Sequence, residues 1–334
     1  MNIPPSSDLA RADEIVHELS ENPSRFGLPE VVSIEIVGGG VAHHVYRINT
    51  REGRFYLKYR GSHFPKISRI RINPMDIGHE HRALSLLSAL LPECFPRILF
   101  FDPERAFMVL ADAMPGESAD SGTLESLLLK RCVTGATLQR LGELLREIHD
   151  ATQRIVEPIR DDGDAEFFAL KLQHRFGHRN IPSLKRIINE LTYNSPRQII
   201  IGDPSPKNIG VGDAGTRLMF FDLEDVHRGC VLFDVGFCLG HLILHAESDP
   251  QQALGYLEAF SDGYGNRALS DSELAKAIAL GTIIYRLDGV IPYPAPLSPD
   301  GRTGLLRKTE ATLIFVDAHP VSWEVLVEKL LQDR

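Results

Sequence analysis

The sequence predicts an α+β chain in two lobes, a small β-rich one over residues 1–112 and a larger, mostly helical one over 113–334. Three observations carry that expectation. Between residues 31 and 60, short runs alternate apolar and polar side chains with the period of strands. Beyond residue 112 the period changes, and Leu138, Leu141, Leu145 and Ile148 fall on one face at helical spacing. Finally, "IIIGDPSPKNIGV" and "RLMFFDLED" are short apolar strands that each stop at an aspartate.

The elements follow in order. An acidic amphipathic helix is expected near 8–19. "VVSIEIVGGG", "HHVYRINT" and "RFYLKYR" then form strands, with Gly53 turning a hairpin between the last two. A helix over about 76–91 precedes a strand pair in "RILFFDPERAFMVL", which turns at Asp102-Pro103. A hinge is expected near 111–116. "DDGDAEFF" has the polarity of an exposed insertion, and "VLFDVGFCLGHLILH" is a strongly apolar helix. A Pro-rich loop, "IPYPAPLSPDGRTG", interrupts the later helices.

At 334 residues the chain is long enough for two domains with ordinary cores. No apolar run approaches the roughly 18 residues of a membrane span, and the polar N-terminus lacks an export signal's apolar core. Cys94, Cys132, Cys230 and Cys238 show no C-x-x-C spacing, which favours reduced thiols in a cytoplasmic protein. The net charge of −9, nearly all of it after Asp112, argues against nucleic acid as a partner and reads as a solvated acidic surface. Neither repeats nor low-complexity tracts occur. The sequence leaves monomer or homodimer open.

Gly38, Gly39 and Gly40 follow a strand, where backbone N–H groups can approach phosphates. A dinucleotide fold would need a helix next and an acid about 20 residues on. Here a hairpin follows, and the region 58–60 is basic, so the arrangement fits a glycine loop between antiparallel strands instead. Lys58 points away from the apolar face formed by Phe55, Leu57 and Tyr59. Glu80 shares a helical stripe with Leu84, Leu87 and Leu91, and a carboxylate there is costly unless a cation pairs with it. Lys58 is the natural partner; Lys66 and Arg69 are alternatives.

Asp203 and Asn208 keep the Asp-x-x-x-x-Asn spacing of a phosphoryl-transfer loop, in which the aspartate accepts a hydroxyl proton and the asparagine oxygen ligates Mg²⁺. Pro204 and Pro206 stiffen that loop. Asp222 ends the next strand as a second hard-oxygen ligand, with Glu224 two residues on able to reach the same or another ion. Asp234 suits a helix start and can bond the backbone of the catalytic loop. His149 reads as a helix C-terminal dipole partner, His43 and His44 as exposed loop residues, and His241 and His245 as core or surface residues rather than a metal pair.

In this order the parts resemble the aminoglycoside phosphotransferase and choline kinase family, small-molecule relatives of protein kinases, over nearly the whole chain. "GGGVAHHVYRI", Asp222-x-Glu224 and "FDVG" look like methylthioribose kinases in particular, and Arg286 in "IIYRLDG" is similar to an arginine-bearing segment beside the acceptor. The resemblance implies a protein-kinase-like bilobal fold and ATP-dependent phosphorylation of a hydroxyl on a small metabolite. It implies Asp203 as base, Asn208 and Asp222 as Mg²⁺ ligands, and Lys58 with Glu80 on the phosphates. The family's usual His-Gly-Asp is Ile201-Gly202-Asp203 here. That departure keeps a catalytically impaired nucleotide-binding regulator as an alternative, beside an aminoglycoside-type antibiotic phosphotransferase.

Overall fold

The structure is a computed structural model that describes residues 5–37, 43–65, 67–113, 122–290, 293–294 and 297–331. The chain forms two compact units: Met1–Pro115 with Met219–Glu224, and Gly116–Leu218 with Asp225–Arg334. No helix of the described residues is long and apolar enough to cross a membrane.

The first unit opens with α1 (Pro5–Glu21). Strands β1 (Val31–Val37), β2 (His44–Thr50) and β3 (Arg54–Tyr59) follow, then the short pair β4 (His63–Phe64) and β5 (Ile67–Arg71), helix α2 (Ile77–Leu90), β6 (Ile98–Asp102) and β7 (Phe107–Ala111). Five strands make an antiparallel sheet in the order β1-β2-β3-β7-β6. Its two faces explain the pattern in "RFYLKYR". Leu57 and Tyr59 join Ile48, Phe107 and Val109 under the Ala12, Ile15 and Leu19 stripe of α1. Lys58, one residue out of phase, points to the opposite face. That face is buried too: Lys58 is 6% exposed and Glu80, on α2, is 2%.

The second unit begins with β8 (Gly122–Thr123), α3 (Leu124–Leu129), α4 (Gly135–Thr152), α5 (Asp164–Phe176) and α6 (Pro182–Asn189). Next come β9 (Gln198–Ile200), β10 (Ile209–Gly212) and β11 (Arg217–Phe220), the strand that carries the chain into Met219–Glu224, and then β12 (His227–Gly229). Helices α7 (Val231–His245), α8 (Pro250–Tyr264), α9 (Arg267–Ser270), α10 (Glu273–Asp288), α11 (Pro299–Ala318) and α12 (Trp323–Leu331) complete it. The leucine stripe of α4 is fully buried, as its period requires. Along α7, a Cβ on Gly240 would collide with the Ala279 carbonyl of α10, so the two backbones approach to a distance only glycine permits.

One sequence expectation changes here. "DDGDAEFF" is exposed at Asp161 and Asp162 but is no insertion: from Asp164 it forms the start of α5, Phe168 is fully buried, and Asp164 is buried with its carboxylate accepting the Ile159 N–H at 3.0 Å. The acidic run is a helix N-terminus, where carboxylates are favoured for reasons unrelated to exposure. His149 lies in the last turn of α4, the helix C-terminal position expected of it. It is buried, with Nδ1 2.9 Å from the Tyr264 hydroxyl.

Leu145 is fully buried in the helical unit. Leu145→Ala is expected to lower unfolding free energy by about 2–5 kcal/mol, read from a urea titration.

Candidate active site

The loop after β9 is built on one carboxylate. Asp234, fully buried in the first turn of α7, accepts the N–H of Ile201 at 2.7 Å and of Gly202 at 2.9 Å. His149 reaches the same group with Nε2, 3.3 Å from Oδ2. Gly202 adopts φ +75°, and a Cβ there would strike the Asp225 carbonyl. The chain therefore turns sharply and presents Asp203. The Asp203 carboxylate accepts the Ser205 hydroxyl at 2.8 Å and the Asn208 amide at 3.2 Å, and that same amide also reaches the Asp203 carbonyl at 3.1 Å. Asn208 Oδ1 accepts the Lys207 ammonium at 3.0 Å. Burial acts to raise Asp203, but Lys207 and Arg175 outweigh it and hold the carboxyl below the usual aspartate value.

β12 braces this loop, pairing His227 with Ile200. His227 is fully buried between Phe167 and Phe168, and its Nδ1 donates to the Asp225 carbonyl at 2.6 Å. Burial pushes this imidazole down to about 4.

In the first unit, Glu80 is the organiser. Its Oε1 accepts the Lys58 ammonium at 2.6 Å and the backbone N–H of Leu223 at 3.0 Å. Lys58 also donates to Asp222 Oδ1 at 2.5 Å. Asp222 itself stands at φ +61°, a left-handed conformation uncommon for a residue with a side chain, so its orientation is held by the surroundings. Burial alone would lower the Lys58 ammonium. Asp222, Glu80 and Glu224 reverse that and hold it above its ordinary value. Glu80 moves the other way, because burial raises it more than Lys58 lowers it.

Several expectations change in this part of the molecule. His43 is no exposed loop residue. It is 4% exposed, with Nε2 3.6 Å from Glu80 and Nδ1 3.8 Å from Glu224. Arg60, which the sequence reading passed over, donates to Glu224 at 2.8 Å. One ligand atom each from His43, Asp222 and Glu224 lies within 4.8 Å of the others, a group able to hold a metal ion. Gly38, Gly39 and Gly40 lie outside the described residues, as does Lys66. Arg286, on α10, is buried with Nη2 3.9 Å from Glu125 Oε1. His241 and His245 are buried in α7, the core one of the two placements the sequence left open.

The sequence pattern of the phosphotransferase enzyme family (APH) matches residues 33–269. The chain belongs to this family. It is a phosphotransferase in which Lys58, Glu80, Asp203, Asn208 and Asp222 all fall inside the matched span. No curated protein matches it in sequence. Among solved structures, the amicoumacin kinase hAmiN in complex with AMP-PNP, Ca²⁺ and Ami is similar with a TM-score of 0.57 at 13% identity, over 95% of this chain and 97% of that one. A choline/ethanolamine kinase family protein from Mesorhizobium loti gives 0.56 at 16% identity, over 97% and 100%. The choline kinase LicA from Streptococcus pneumoniae gives 0.51 at 19% identity, over 95% and 98%. At these identities the likeness is one of fold, the protein-kinase-like α+β architecture.

Two outcomes are expected. Removing one partner of a buried ion pair strands the other, so Glu80→Ala should cost about 3–5 kcal/mol by denaturant titration. The His227 folded pKa lies below the unfolded value of about 6.5, so between that pH and about 4 the unfolded chain binds a proton that the folded chain refuses. Stability should therefore fall as pH drops through this window, by about 3 kcal/mol in all from this group. His227→Phe should flatten that part of a pH–stability profile.

Proposed function

We propose that this phosphotransferase moves the γ-phosphoryl group of ATP to a hydroxyl of a small metabolite, a sugar, amino sugar or amino alcohol being the classes its resemblance suggests. The observation that carries the reading is the Lys58 ammonium, buried and shared between Glu80 and Asp222. Such a lysine is anchored on one side and presents its charge to a phosphate on the other. Residues 1–112 would serve the nucleotide and 113–334 the acceptor, with Asp222 and Glu224 returning to the first compact unit.

The donor set suits Mg²⁺. Asp222 and Glu224 offer carboxylate oxygens, Asn208 an amide oxygen, and hard oxygen ligands are what that ion prefers. Each already faces a cation of the protein: Lys58 at Asp222, Arg60 at Glu224 and Lys207 at Asn208. When bound, the metal neutralises charge on the phosphate oxygens. Lys58 holds phosphate oxygens, anchored by Glu80 while it also faces Asp222. Asp203 orients the acceptor hydroxyl and takes its proton as the oxygen attacks phosphorus. Asp234 fixes Asp203 through the backbone. Ile201 contributes only its N–H to that support, so the missing histidine of the usual His-Gly-Asp removes no proton acceptor, and the impaired-regulator alternative gains nothing from it.

With MgATP and a panel of hydroxyl compounds, Asp203→Ala should lower kcat by about 10³-fold or more while nucleotide binding survives. Asp222→Ala should instead weaken Mg-nucleotide binding by calorimetry. Identical behaviour of the two variants would refute this assignment of roles.

A further inference from the structure

The surroundings of Asp203 narrow the chemistry of the acceptor. Lys207 brings Nζ to 3.7 Å from Asp203 Oδ2, and Arg175 of α5 brings Nη2 to 3.7 Å from Oδ1. Each carboxylate oxygen therefore faces a cation. Arg175 is 3% exposed, with Cζ 4.3 Å from the centroid of the Phe237 ring. Its Nη2 pairs with Asp225 at 3.0 Å, while Nη1 is buried with no hydrogen-bond partner among the described residues. Lys171, one turn earlier, also pairs with Asp225 at 2.6 Å, so that carboxylate is shared between two cations.

A second buried arginine feels Asp203 too. Arg286 is buried, and the Glu125 carboxyl beside it is pushed up by burial, which favours its neutral form. His241 is fully buried next to the Phe237 ring, at 4.9 Å between centroids. Neither of its ring nitrogens has a hydrogen-bond partner among the described residues. Buried polar groups left unpaired are costly, and a donor together with an acceptor in one place is what a bound polar molecule supplies.

We propose that the acceptor is an anion, a small hydroxyl compound carrying a carboxylate or phosphate group that Arg175, Lys207 and Arg286 hold, with His241 completing its hydrogen bonds. This rests on the phosphotransferase reading and specifies its substrate class. The anion takes up the unpaired Nη1 of Arg175 and draws Lys207 from Asp203, which frees that carboxylate for the hydroxyl. The acceptor O–H proton then passes to Asp203, the oxygen–phosphorus bond forms, and the bond from the γ-phosphorus to the ADP oxygen breaks. A cationic acceptor placed at Asp203 would lie beside Arg175 and Lys207, and like charges so placed select against it.

Calorimetry on the intact protein, with and without Mg-AMP-PNP, tests this using D-glycerate, sn-glycerol 3-phosphate, glycerol, choline and kanamycin as probes. At least one of the two anions should bind ten-fold or more tighter than glycerol, and choline and kanamycin no better than glycerol. D-glycerate alone would assign a carboxylate, and the phosphate ester alone a phosphate. The preference should fall at least ten-fold in Arg286→Met and in Lys207→Met, with melting curves checking that each is folded. The Lys207 side chain is 30% exposed, so its replacement leaves no buried charge unpaired. Tighter binding of choline or kanamycin, no anion tighter than glycerol, or a preference that survives both substitutions would overturn the proposal. Failure of the intact protein to bind Mg-AMP-PNP would sink the phosphotransferase reading instead, since the anion preference is also read without nucleotide.

Discussion

One carboxylate oxygen, Glu80 Oε1, holds the first compact unit in its working arrangement. It accepts the Lys58 ammonium and the Leu223 N–H together, and so ties strand β3 to the segment that carries Asp222 and Glu224. Neither group could be buried alone, because a desolvated ammonium or carboxylate costs several kcal/mol. Paired, they let Lys58 stay charged where solvent is excluded, and a charge acts more strongly on a phosphate there than it would in water. Asp222, in its left-handed backbone conformation, is positioned by this network rather than by its own preference.

The second unit solves the same problem with Asp234, though its partners are backbone amides. Two N–H groups of a sharp turn would be orphaned by the glycine conformation that aims Asp203, and one carboxylate accepts both. Holding the loop through its backbone leaves the identity of residue 201 free, which is how isoleucine can stand there without loosening the aspartate. Both lysines nearest the phosphoryl-transfer groups do a further job. Lys58 on Asp222 and Lys207 on Asn208 occupy oxygen atoms suited to a metal, so the oxygens stay charge-balanced before any ion arrives.

What could be read from the sequence follows from this physics. Glu80 was legible because a carboxylate on a leucine stripe is an energetic anomaly visible in one dimension, and the strand before it offered a lysine. The two lobes were legible because the period of the pattern changes near residue 112. Arg175 carried the same kind of signal: Phe168 and Leu172 precede it on the buried side of α5, and Phe176 follows. It was missed because the acidic opening of that helix looked like an exposed loop. His43 had no such signal, since its burial depends on Glu80 and Glu224, which are distant in sequence. Glu125 and Arg286 meet across 161 residues of chain, a separation that no periodicity reports.

The contrast between net and local charge then decides what the acidity means. Nearly all of the −9 lies after Asp112, where it reads as a solvated acidic surface. Exposed charges, however, are screened within about 8–10 Å at physiological ionic strength. The selecting groups are the ones a substrate touches after its water is removed, and around Asp203 those are Lys207, Arg175 and Arg286. Arginines at 3% exposure are retained against a desolvation cost that a mere surface field would not justify. Asp225, shared with Lys171, and Asp203 both face Arg175, while the Glu125 carboxyl beside Arg286 is pushed up by burial. The anionic acceptor proposed above would add to that compensation, most directly at Arg175 Nη1, which is buried with no hydrogen-bond partner among the described residues.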